Sequence, residues 1–210
     1  MTPEQFASES GIHPDSLADY QIWAQQLRKW NKTINLVAPK SLPDFWSRHA
    51  LDSAQIVPHI PDNTKTIADF GSGAGFPALS IAIAAKYDAP DRTVHMLESA
   101  GKKASFLKSV SRETGVKTVI HAKRIEAVDP LEANVITARA FAPLHRLLPM
   151  AARHLMPEGQ LVLLKGERVD EEIQEAERDW TFEAEKLSSF SDEGGSILIL
   201  RNLHSVSRET

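Results

Sequence analysis

The chain has 210 residues, 42% hydrophobic and 25% charged, with a net charge of −4, which suits one domain with an appendage and an ordinary globular core. It contains no cysteine, so disulfides, thiolate metal sites and cysteine nucleophiles are excluded. No apolar run approaches the roughly 20 residues of a membrane span, and the start, Met1-Thr2-Pro3-Glu4-Gln5-Phe6, has neither region of a signal peptide, so a cytoplasmic protein is expected.

Residues 1–64 have no strand-like alternation and read as a helical cap. Leu17, Tyr20, Ile22, Trp23, Leu27 and Trp30 approximate one helical face over Asp15–Trp30. His49–Val57 reads as a second helix, stopped near Pro58, and Pro61-Asp62-Asn63 signals the turn that precedes the first strand.

From Lys65 onward strands and helices alternate. Strands are expected at Thr66–Phe70, Thr93–Glu98, Thr118–Ala122, Asn134–Arg139 and Gln160–Lys165. Helices are expected at about Pro77–Lys86, Lys102–Thr114, Leu144–His154 and Val169–Arg178. Trp180–Leu187 and Ser196–Leu203 form a closing hairpin around Ser-Asp-Glu-Gly-Gly. The alternation predicts an α/β fold, a doubly wound, mostly parallel sheet with right-handed crossovers, and the hairpin adds an antiparallel strand at or near one edge. Residues 65–210 are the expected ligand-binding domain.

The turn after the first strand carries the most chemistry. Thr66 to Pro77 reads Thr-Ile-Ala-Asp-Phe-Gly-Ser-Gly-Ala-Gly-Phe-Pro, with Asp69 at the strand end and Gly71, Gly73 and Gly75 at alternate positions. Strand, glycine turn and helix bring bare backbone against a nucleotide-like ligand, where a Cβ would clash or forbid positive φ. Pro77 suits a first helical position. A dinucleotide fingerprint needs a third glycine where this chain has Phe76, and no phosphate-binding G-x-x-x-x-G-K-[ST] occurs. The remaining Asp-x-Gly-x-Gly-x-Gly resembles the first motif of class I S-adenosylmethionine-dependent methyltransferases, which implies that Asp69 lies near the methionine amino end.

Other candidates follow from position. Glu98 ends the second strand, where an acid accepts bonds from ribose hydroxyls. Arg139 ends the fourth strand between Ala138 and Ala140. There it either pairs with an acid or faces a ligand, because an isolated buried charge is costly. Ile125-Glu126 marks a turn beside the site that could frame an adenine edge, although spacing alone favours a plain turn. His49 and Asp52 share a helical face at i, i+3, as a base–acid pair or a structural hydrogen bond. No G-x-S-x-G, H-x-x-x-H or H-E-x-x-H occurs, so neither acyl transfer nor a metal site is expected.

Charge is unevenly spread. Residues 167–193 hold 11 acids and 3 basic residues, so the remainder of the chain nets +4, which is compatible with one basic face. Arg28, Lys29, Lys32, Lys40 and Arg48 in the cap suit phosphate, with Asn35 and His49 as polar neighbours and Lys165 at the fifth strand end. The acidic helix is expected to lie away from that face.

Together these residues resemble the RsmG family, also called glucose-inhibited division protein B. The likeness runs through Asn31-Lys32-Thr33-Ile34-Asn35-Leu36-Val37, Arg48-His49-Ala50-Leu51-Asp52-Ser53, the glycine turn, Glu98-Ser99 with Lys102-Lys103, Phe106-Leu107, Arg124-Ile125-Glu126, Ala138-Arg139-Ala140 and Lys165-Gly166. Where the family has glycine and proline after the Pro77 position, this chain has Ala78 and Ser80, a change that favours helix. The resemblance implies S-adenosylmethionine as cofactor, with contacts at Gly71, Phe76, Ile125, Glu126 and Arg139. It also implies methylation of a guanine N7 in 16S ribosomal RNA of the small ribosomal subunit or its precursor, by a cytoplasmic monomer with no membrane or DNA partner. Guanine N7 has a lone pair and no proton to remove, so only positioning and electrostatics are required. Arg139 is then the catalytic candidate and no general base is assigned. The alternative is a methyltransferase of the same fold acting on another RNA or a small molecule.

Overall fold

The computed structural model describes residues 1–190 and 194–206, so Ser191, Asp192 and Glu193, where the sequence predicts the last hairpin turn, lie outside the described residues. The N-terminal 64 residues are helical: α1 (Pro3–Ser10), α2 (Leu17–Trp30), a π-helical turn over Phe45–Ala50 that runs into α3 (Leu51–Ala54), and short 3-10 turns. The helix expected at His49–Val57 thus begins earlier and ends earlier. Pro58 sits in a separate turn over Val57–His59.

The rest alternates as β1 (Thr66–Phe70), α4 (Ala78–Asp88), β2 (Thr93–Leu97), α5 (Gly101–Thr114), β3 (Thr118–His121), β4 (Ala133–Arg139), α6 (Leu144–His154), β5 (Leu155–Lys165), α7 (Val169–Ala176), β6 (Trp180–Ser188) and β7 (Ser196–Ser205). One sheet has the order β3-β2-β1-β4-β5-β7-β6. β3 through β5 pair in parallel, and β7 runs antiparallel to both β5 and β6. The antiparallel strand is therefore one place in from the edge. Among the described residues no helix is long and apolar enough to cross a membrane.

Period-two alternation assigns each strand residue to one of two cores. Ile67, Val94, Met96, Val135 and Val162 face a core shared with Phe6, Tyr20, Trp23 and Leu27 of the N-terminal helices and with α4 and α5. Ala68, Phe70, Leu97, Ile136 and Leu163 face the other, with α6 and α7. In α2 the buried positions Tyr20, Trp23, Ala24 and Leu27 recur at three- and four-residue spacing, the stripe a one-sided helix needs. The N-terminal helices are thus a layer on the sheet itself, and they bury no separate core. Polar ties seal that layer: Tyr20 donates its hydroxyl to Ser80 Oγ at 3.0 Å, and Lys86 reaches both oxygens of Asp19.

Candidate active site

The glycine turn leaves β1 with Gly71, Gly73 and Gly75 all at positive φ, 69°, 52° and 93°. Only glycine takes these angles without strain. The amides of Gly71 and Ser72 both donate to Leu97 O, at 2.9 and 3.2 Å, which ties the turn to the end of β2. Pro77 precedes the first helical residue, Ala78, one place later than the sequence suggests.

Glu98 braces the same turn. Its Oε2 accepts the Gly73 amide at 2.9 Å and its Oε1 accepts the Ala100 amide at 2.8 Å. It is largely buried. Two of its roughly four lone-pair positions are therefore used by backbone, and the others remain for a ligand.

Asp69 is fully buried beside its register partner Thr137 on β4, whose hydroxyl donates to Oδ1 at 2.7 Å. Oδ2 has no partner. Burial pushes the carboxyl up to about 7, against the bonding that favours its charge, and the nearby Glu98 charge adds to the rise. A buried carboxyl with one orphaned oxygen, close to the open backbone of Gly73, fits the amino end of S-adenosylmethionine. An ammonium would complete the set.

Val135, Thr137 and Arg139 share the strand face that looks onto the N-terminal layer. Arg139 consequently meets that layer rather than open solvent. Its Nη1 pairs with Asp52 Oδ2 at 3.1 Å, and its Nη2 lies 2.9 Å from His49 Nδ1. Its guanidinium lies 5.1 Å from the Phe76 ring centroid. The Phe76 ring stacks on His49 at 4.9 Å and 21°. Since arginine can only donate, Nδ1 of His49 is an acceptor and Nε2 carries the proton toward Ser41 Oγ, 3.1 Å away. Burial first, then the charges of Arg139 and Arg48, hold His49 down to about 4. It is neutral at physiological pH and its free lone pair is already taken. The arrangement offers a positioned cation, and His49 is not available as a base.

A cavity of about 760 Å³ opens at the carboxyl ends of β4 and β5, between the N-terminal layer and the last hairpin. Arg48, Asp52, Arg139, Phe141, Lys165 and Glu172 are among its walls. Lys165 is committed: its ammonium donates to Glu172 at 2.7 Å and to Ala142 O at 3.0 Å. The acidic helix α7 therefore supplies a wall of this cavity, contrary to the expectation that it would lie away. Glu172 is drawn there because it also accepts the Leu144 amide at the start of α6.

Ile125 is buried at the start of a 3-10 turn after β3, and Glu126 beside it is exposed. Arg28, Lys32, Asn35 and Arg48 are exposed, whereas His49 is buried. Among the described residues no group of three or more His, Asp or Glu could hold a metal ion.

Sequence reasoning missed three residues. Trp23 donates Nε1 to Ala74 O at 3.0 Å and so anchors the glycine turn from α2. Asn31 folds the Asn35 loop by accepting the Leu36 and Val37 amides at 2.9 and 3.0 Å and donating to Val37 O. Phe141 packs on Gly71. The Asn31 role had a signal, since asparagine readily satisfies nearby backbone. Trp23 reads only as a core position.

A family model described as GidB, rRNA small subunit methyltransferase G, matches residues 16–199. The ribosomal RNA small subunit methyltransferase G of Paramagnetospirillum magneticum is 42% identical over 203 residues, 97% of each chain. That of Rhodospirillum rubrum is 42% identical over 97% of this chain and 99% of its own. Among solved structures, a SAM-dependent O-methyltransferase from Thermotoga maritima aligns with a TM-score of 0.55 at 14% identity, covering 90% of this chain and 73% of that one, a likeness of fold. With a family model matched over most of its length and relatives 42% identical over 97% of it, the chain belongs to the GidB family, the rRNA small subunit methyltransferases G.

Proposed function

We propose that this chain transfers a methyl group from S-adenosylmethionine to N7 of a guanine in the 16S RNA of the small ribosomal subunit. The observation that carries the reading is Arg139. It lines the cavity while lying over Phe76 of the glycine turn, so one side chain borders both a cofactor site and a substrate-sized space.

When bound, S-adenosylmethionine supplies an already activated methyl on a sulfonium. Asp69 Oδ2 would take its ammonium, Glu98 its ribose hydroxyls, Ile125 and Glu126 its adenine, and Gly73, where no side chain crowds the backbone, would leave room for its body, with Gly71 as a backbone contact. The chain's remaining task is to hold a base in line with that methyl and exclude competitors. N7 has no proton to lose, which suits a site where His49 Nδ1 is occupied by Arg139. Methylation places positive charge on the base, and two cations in the cavity wall, Arg139 and Lys165, are each balanced by a carboxylate, Asp52 and Glu172.

N7 lies on the major-groove edge, which is deep and narrow in A-form RNA, so the target belongs in a loop or an opened structure. Phosphate contact falls to the exposed Arg28, Lys32 and Arg48, with Asn35 beside them, because Lys165 is held by Glu172. The protein acts as a cytoplasmic monomer on the subunit or its precursor. Labelled-methyl transfer to naked 16S RNA and to small subunits, with the modified base mapped, tests the reading. Label at a guanine N7 is expected. Label only on protein or small molecules, with none on RNA under any salt condition, overturns it.

A further inference from the structure

Phe141 stands between the two halves of this site. Its ring edge rests on the glycine turn so closely that a Cβ added at Gly71 would meet Cδ2 at 2.5 Å. Phe70 supports it from within the fold, edge-on at 6.1 Å and 66°, and Phe70 is itself met by the buried His154 ring at 5.7 Å. Phe141 also lines the cavity. It stays 36% exposed, one of the few large apolar side chains left in solvent.

The backbone that presents it is strained. Ala140 has φ +49°, an angle an alanine adopts only where its surroundings impose it, and such residues cluster at functional sites. The neighbours of Phe141 in sequence are small. Ala138, Ala140 and Ala142 alternate with Arg139 and Phe141, and all five border the cavity. The alanines add no bulk to this stretch of the cavity wall, so the exposed part of the Phe141 ring faces open space. That space is bounded by the exposed cation Arg48 and by the carboxylates of Asp52 and Glu172.

We propose that Phe141 is the stacking surface for the target guanine, a positioning residue that holds the extruded base flat in the cavity with its reactive edge toward the glycine turn. This rests on the RNA reading above. An aromatic ring accepts the π-face of a base without needing its hydrogen-bonding groups, which suits a base removed from its helix. A ring that served only to fill space would be covered, as Phe70 is.

Three variants separate the roles: Phe141→Tyr, Phe141→Leu and Phe141→Ala. Each is assayed by steady-state methyl transfer to small subunits and by calorimetric titration with S-adenosylmethionine. Stacking predicts that Phe141→Leu and Phe141→Ala lower kcat/KM for RNA by about ten- to a hundredfold. Phe141→Tyr restores most of that loss, and cofactor affinity is unchanged throughout. Parental kcat/KM in Phe141→Leu would assign the ring to packing, and an equal loss of cofactor affinity would assign it to the cofactor site. Either result overturns the inference while RNA methylation by the parent stands. A parent that methylates no RNA removes both readings together.

Discussion

The Nη2 of Arg139 lies 2.9 Å from Nδ1 of His49, across 90 positions of sequence. This contact joins the end of β4 to the N-terminal layer directly beside Phe76 of the glycine turn. It also sets the histidine's tautomer and contributes to keeping it neutral.

Arg139→Ala should therefore act on His49 as well as on activity. Burial is the largest cause of the depressed value of about 4, and Arg139 is the next, so removing the guanidinium should move His49 upward without restoring the full 6.5. NMR titration of the ring protons checks the shift. Methyl transfer and cofactor affinity should both fall, since the residue borders both spaces and Asp52 would lose its cation. A variant with parental cofactor affinity would confine Arg139 to the substrate side.

His49 also makes the fold acid-sensitive. Its folded value lies below the unfolded 6.5, so its contribution is complete above about pH 6.5 and is lost as pH falls toward 4. Denaturant midpoints measured across that window should fall less steeply with acid in His49→Gln than in the parent.

Asp69 has the opposite sign. Its folded value of about 7 lies above the unfolded 3.8. The free protein should lose stability from this group as pH rises from about 4 to 7, by up to about 1.4 kcal/mol per pH unit. Asp69→Asn should flatten that slope. An ammonium at Oδ2 would make the carboxyl ionise, so cofactor affinity should rise with pH up to about 7 and then level off. Calorimetry in two buffers of different ionisation enthalpy counts the released proton; finding none would place the ammonium elsewhere.

The glycines should not be equivalent. At Gly71 an added Cβ meets Phe141 at 2.5 Å, whereas at Gly73 the nearest atom, Gly71 O, is 3.7 Å away. Gly73→Ala should cost roughly 1–2 kcal/mol of backbone strain, and Gly71→Ala should cost more because the ring must also move. Thermal unfolding of the two variants ranks them.

Trp23→Phe keeps an aromatic ring in the core but strands Ala74 O. The expected loss is about 1–3 kcal/mol of stability, accompanied by weaker cofactor binding because the glycine turn loses its anchor to α2. If stability falls and affinity does not, the turn is held well enough by Glu98 and Leu97 O.

Much of the architecture was legible because it depends on local periodicity. β1 was expected at its observed bounds, Thr66–Phe70, and α6 at Leu144–His154, since alternation and helical spacing are written in consecutive residues. The positive φ angles at Gly71, Gly73 and Gly75 were likewise implied by residue type. The π-helical turn over Phe45–Ala50 was not, because it gives no distinct sequence period.

What only the tertiary structure decided is which groups meet. Asp69 and Thr137 become partners through the β1–β4 register, and Arg139 reaches His49 and Asp52 because alternation along β4 turns it toward the N-terminal layer. Lys165 is claimed by Glu172, and that places the acidic helix at the cavity. Charge, motif and spacing name the residues available for binding. Whether a given side chain is free to bind, or already held by a partner distant in sequence, depends on long-range contacts that local patterns do not encode.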